Sequence, residues 1–117
     1  MALTAEVASL LTTVSNVYLG NLPDSPDNAI AIIPTGGFAR DLHFGNDSIL
    51  REPTFQIIVR NTSYSTGETL CETILGLLSG KTTTNIKVIQ QMSDIISLGR
   101  DQNNRPNWSI NFRCYLV

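Results

Sequence analysis

The sequence predicts an α+β fold: a mainly antiparallel sheet with two amphipathic helices packed on one of its faces, a long projecting loop and a hairpin. Three observations carry that prediction. Apolar residues recur with a helical period in two places, one near the N-terminus and one between Ser65 and Gly80. Segments of four to eleven residues with a period of two, or apolar on both sides, occupy most of the rest. The expected order is helix, strand, strand, helix, strand, strand, strand, so two helices pack on a mainly antiparallel sheet.

In chain order, Leu3, Val7, Leu10, Val14 and Val17 recur in steps of four and three. They form one apolar stripe on a helix expected from Leu3 to Asn16, with Gly20 stopping it. NLPDSPDN, residues 21–28, holds two prolines and no apolar period and reads as a turn segment, where Asp24 and Asp27 commonly cap their own backbone. AIAII, residues 29–33, reads as a buried strand.

Residues 34–52 show no clear period and are expected to form a long connection. Phe38, Leu42, Phe44, Ile49 and Leu50 within it need a surface to lie against, and a loop of this length in an ordered domain normally has a function. TFQIIVR, residues 54–60, alternates, with Phe55, Ile57 and Val59 on one side. Ser65 and Glu68 have the spacing of a capping box for a second helix. That helix places Leu70, Cys71, Ile74, Leu77 and Leu78 on one face and ends at Gly80.

Strands are expected around Ile86–Gln91 and Ile95–Leu98. The final strand follows a polar loop, GRDQNNRP, with Trp108, Ile110, Phe112, Cys114 and Leu116 on its apolar side. Residues 95–117 therefore form an antiparallel hairpin with a long, projecting loop.

Composition sets bounds on function. At 117 residues the chain has the size of one domain, 1–117, and buries roughly 65% of its unfolded surface without needing a metal or disulfide. Charged residues make up 15%, against roughly 25% in typical domains. So uncharged a surface hints at buried subunit contacts. Net charge is −2 and the basic residues are scattered, so no patch is built to neutralise a run of phosphates. No apolar run is long enough to span a membrane, and no secretory signal is expected. Cys71 and Cys114 lie in apolar patterns and read as reduced core thiols.

No catalytic constellation emerges, and no cofactor or metal is expected. TGGFARDLHF has two glycines but no lysine and no following helix, so it is a poor phosphate loop and a better turn. His43 has Asp41 and Asp47 nearby but no matching nucleophile and no second histidine. One histidine and two separated cysteines match no compact zinc site. Glu68 and Glu72 sit near a helix N-terminus, where negative charge is favourable without any catalytic role. Arg100, Asp101 and Arg105 crowd one hairpin loop; they make either a solvated tip with weak ion pairs or an interface tip. The candidates that remain are interface residues: Phe38, Arg40, Leu42 and Phe44 on the long connection, and Arg100, Asp101 and Arg105 on the hairpin loop.

Three blocks together carry a resemblance: PDSPDNAIAIIPTGG; REPTFQIIVRN with SYSTGETLCETILGLLSG; and ISLGRDQNNRPNWSINFRCYL. In this order and spacing they resemble the minor capsid or tail terminator proteins of long-tailed bacteriophages, over most of the chain from about residue 20 onward. The most specific pieces are Leu98-Gly99-Arg100-Asp101, then Arg105-Pro106, then the strand reaching Asn111-Phe112. Asn104 stands where such a loop commonly has Gly; Asn is the next-best residue for a left-handed turn.

The resemblance implies a virion structural protein at the head–tail junction, assembled in the host cytoplasm. Such a protein forms a homo-oligomeric ring, typically a hexamer, on the end of the tail tube. It stops tube polymerisation and presents the surface that docks to the head connector. DNA only passes through its channel, and no membrane, cofactor or chemistry is involved. The rival readings are a head-completion or connector-adaptor protein, a small enzyme using His43, and an α+β module binding a peptide or small ligand.

Overall fold

The computed structural model describes residues 3–14, 16–42, 49–83 and 85–116. Its elements are α1 (Leu3–Ser9), β1 (Val17–Leu19), β2 (Ala29–Leu42), β3 (Ile49–Arg60), α2 (Tyr64–Leu78), β4 (Ile86–Gln91), β5 (Ile96–Arg100) and β6 (Pro106–Leu116). They build an α+β structure on one six-stranded sheet in the order β1-β2-β3-β6-β4, with β5 also paired to β6. The β1–β2 pair is parallel and every other pair is antiparallel.

The register explains the core. Ile30 pairs with Val59 and Ile32 with Ile57. Val59 in turn faces Trp108, Ile57 faces Ile110 and Phe55 faces Phe112. Cross-strand partners project to the same side of a sheet, so these residues make one apolar face. The Phe55 and Phe112 rings stack on it, centroids 5.2 Å apart. Val7 and Leu11 from the N-terminal segment, and Cys71, Ile74 and Leu78 from α2, join the same fully buried cluster. Both helices therefore lie on one face, as expected.

The first helix is shorter than its stripe predicts. It stops at Ser9, and tight i→i−3 bonds follow, from Leu10 N–H to the Val7 carbonyl and from Leu11 N–H to the Ala8 carbonyl. The sequence there, LTTVSN, is rich in β-branched and hydroxyl residues that favour other conformations. Leu11, one turn after Val7, is buried beside it in the core. Val17 leaves the helix for β1, and Gly20, at φ 88°, ends that strand rather than the helix.

The expected loop over 34–52 is, in its described residues, a β-ribbon. β2 continues through Leu42 and β3 begins at Ile49. Two register shifts, at Pro34/Gly36 and Phe38/Asp41, break the period of two and conceal the strands from a pattern reading. Pro34 is tolerated because it lies past the last β1 pair, on a stretch of β2 that is a sheet edge. The β3–β6 ladder ends at Thr54–Arg113. Beyond it, β2 and β3 run on as a two-stranded arm, which gives the molecule its extents of 55 × 25 × 23 Å.

α2 begins two residues before the expected position. Ser63 is the N-cap, and its hydroxyl accepts from the Thr66 N–H, so Ser65 and Glu68 do not form a capping box. Of the expected face, Cys71, Ile74 and Leu78 are buried, together with Gly67, while Leu70 and Leu77 are half-buried at the rim of the core. A Cβ at Gly67 would overlap the Trp108 ring, so the glycine sets how closely helix and sheet approach. The helix ends at Ser79, with Gly80 at φ 75°.

Candidate assembly interface

The corner where β3 ends, β6 begins and residues 21–28 fold over the sheet is built around two buried arginines. Arg60, the last residue of β3, donates through Nε to the Asp27 carbonyl at 2.9 Å. Its Nη2 donates to the carbonyls of Pro23 and Pro26 at 2.5 and 2.6 Å. The Ser25–Pro26 peptide is cis in this turn. Asn28 adds a side-chain contact to the Thr62 N–H at 2.9 Å.

Arg105 is only 5% exposed. Its Nε donates to Asp101 Oδ2 at 2.9 Å, its Nη2 to Asp24 Oδ1 at 2.9 Å, and its Nη1 to Asp27 Oδ1 at 3.1 Å and the Asp24 carbonyl at 2.7 Å. The sequence suggested Asp24 and Asp27 as caps of their own turn; both instead hold a residue some 80 positions away. Asp101 closes its own turn, accepting from the N–H groups of Asn103 and Arg105 at 3.0 and 2.9 Å. The Arg105 N–H, aided by the Arg105 guanidinium, holds the Asp101 carboxyl below its usual range despite the opposing effect of burial. Asn104 takes the left-handed conformation at φ 63°. The loop thus folds back onto residues 24–27 instead of projecting.

The interface residues suggested by the sequence separate into two groups. Arg105 and Asp101 are engaged within the chain, while Arg100 is exposed at the end of β5, with Nη1 donating to the Asn104 carbonyl at 3.0 Å. Phe38, Arg40 and Leu42 lie on the β2 strand of the arm. Phe38 is paired with Glu52 and Leu42 with Ile49, and Arg40 falls within the second register shift. Phe44 and His43 lie outside the described residues. Arg60 went unnoticed in the sequence because it closes an alternating strand like any polar end residue.

A second surface was also missed. β5 and the segment before it expose Met92, Ile96 and Leu98, with Leu98 52% accessible. Beside them lies a shallow notch of about 280 Å³, lined by Glu68, Glu72 and Asp94 with Tyr64 and Trp108. Polar and patternless context hid these residues, since single aliphatics in a short strand read as core.

The chemical repertoire is narrow. Burial pushes both thiols up to about 12, with Glu72 and Glu68 adding to the effect at Cys71, so neither is a nucleophile near neutral pH. Among the described residues, no group of three or more His, Cys, Asp or Glu is placed to hold a metal ion. No described helix is long and apolar enough to cross a membrane.

Comparison with known proteins agrees with this picture. The family described as bacteriophage tail terminator protein matches residues 6–117. No curated protein matches the chain. Among solved structures, a chain in the virion of a native gene transfer agent particle is similar, with a TM-score of 0.66 at 11% identity. The match covers 98% of this chain and 94% of that one, and at such identity the likeness is one of fold.

Proposed function

Because this chain belongs to the bacteriophage tail terminator family and is a structural protein of the virion tail, we propose that it closes the end of the tail tube as a homo-oligomeric ring, a hexamer. The whole of 1–117 acts as one domain. The ring stops tube polymerisation, presents the docking surface for the head connector, and leaves a channel through which DNA passes. It works by surface complementarity, with no catalytic centre and no cofactor. The family match carries this reading. The arm supports it, because an isolated two-stranded ribbon is marginal in water and gains from lying against another surface. The low charge of the chain supports it as well.

The test is to mix the purified protein with tail tubes that are still growing, and to follow tube length and particle mass by light scattering. Arrest of growth with a ring-sized mass on one tube end is the expected result. Tubes that lengthen unchanged while empty or leaking heads gain the protein would instead identify a connector adaptor.

A further inference from the structure

The outer flank of β6 carries two strands, β4 and β5, that are finished differently. β4 is closed off by residues 80–83. Gly80 N–H donates to the Ile89 carbonyl at 2.7 Å, Ile89 N–H to the Lys81 carbonyl at 3.0 Å, and Thr83 N–H to the Ile86 carbonyl at 2.9 Å. β5 has no such cover. Its sole strand partner among the described residues is β6, and all five of its residues are exposed. Proteins normally blunt an exposed edge with charge, proline or a covering segment. β5 carries one register shift at Ser97/Gly99 and one terminal arginine, yet presents Ile96 and Leu98, with Met92 just before them.

An open edge selects an extended segment as its partner, because unpaired backbone N–H and carbonyl groups need a strand to satisfy them. The neighbouring notch narrows the choice further. Glu68, Glu72 and Asp94 line it and, among the described residues, no basic residue does. The partner strand should therefore carry an arginine or lysine.

The chain contains such a strand on the opposite side of its own sheet. β1 covers β2 only from Ile30 to Ile32. From Ile33 to Leu42 the outer side of β2 has no strand partner among the described residues, and Arg40 is the sole basic residue on β2. We propose that β5 is the acceptor edge for the β2 strand of the arm from a second copy, with Arg40 complementing the three carboxylates. This rests on the ring reading above and specifies its subunit contact. The donor and acceptor edges are different surfaces, so each copy gives one strand and receives another. Such a heterologous contact closes into a ring when the rotation between copies permits.

Cross-linking on tails tests this. Tails are assembled from a mixture of Leu42→Cys and Ser97→Cys copies, which keep Arg40, and then mildly oxidised. The native thiols are buried and should stay silent. A disulfide-linked pair of unlike copies is expected, and neither variant alone should link. A charge-reversal series on tails adds a second readout. Arg40→Glu should lower occupancy at least tenfold, and a partner copy carrying Glu68→Lys and Glu72→Lys should restore it. Protein present on the tails without the cross-link, or occupancy indifferent to Arg40→Glu, overturns the strand exchange and leaves the terminator reading intact. Wild-type protein that never occupies tail ends overturns both.

Discussion

At the residue scale, Arg105 holds the corner together, but its removal should be less damaging than its burial suggests. Asp24 and Asp27 have side chains 87% and 68% accessible, so without Arg105 they regain water rather than being stranded. Arg105→Ala is therefore expected to destabilise modestly, and to raise hydrogen exchange in residues 21–28 and 101–105 first. Acid should act on the same contacts. The Asp101 carboxyl is lowered in the folded state, so its contribution is complete above the ordinary carboxylate value and is lost as pH falls through the lowered one. Titration followed by NMR at Asp101 should show the corner loosening only below the usual carboxylate range. Phe112 is different: it is fully buried and stacked on Phe55, so no water relieves the loss. Phe112→Ala should cost about 3–5 kcal/mol in denaturant unfolding.

At the element scale, Gly67 opposes two effects. Alanine is favoured over glycine in a helix interior by about 1 kcal/mol. Here the added methyl would overlap the Trp108 ring, and overpacking of this kind costs about 1–3 kcal/mol. Gly67→Ala is thus expected to lower the midpoint of thermal unfolding, whereas Gly76→Ala, in open space on the same helix, should raise it. The arm follows another logic. Its ladder leaves the sheet at Thr54–Arg113, so changes farther out should spare the core. Phe38→Ser with Phe44→Ser is expected to leave unfolding unchanged and to impair ring formation or tail attachment; normal assembly would remove the arm from the interface.

At the scale of the whole molecule, length and shape matter more than any single contact. A chain 55 Å long and about 25 Å across reaches well past the compact dimensions of its core. Such reach suits a protein that must touch neighbours. His43→Ala should be without effect on assembly or stability, because no catalytic role is proposed for it; loss of a measurable activity would revive the enzyme reading.

Sequence by itself determined what depends on neighbours a few residues apart. The α2 face, the strand TFQIIVR, the face of β6 bearing Trp108 and Phe112, and the left-handed Gly80 all follow from local period and backbone preference. The family resemblance rested on such local blocks in order, and the family match supports it. Tertiary structure decided the rest. Whether residues 34–42 and 49–52 pair as strands depends on long-range hydrogen bonds, and two register shifts erase their period. Whether Asp24 caps its turn or binds Arg105 depends on a fold that brings residues some 80 apart together. Whether β5 is buried or open depends on which strands flank it in the sheet. Each is set by distance in space, which local periodicity does not encode.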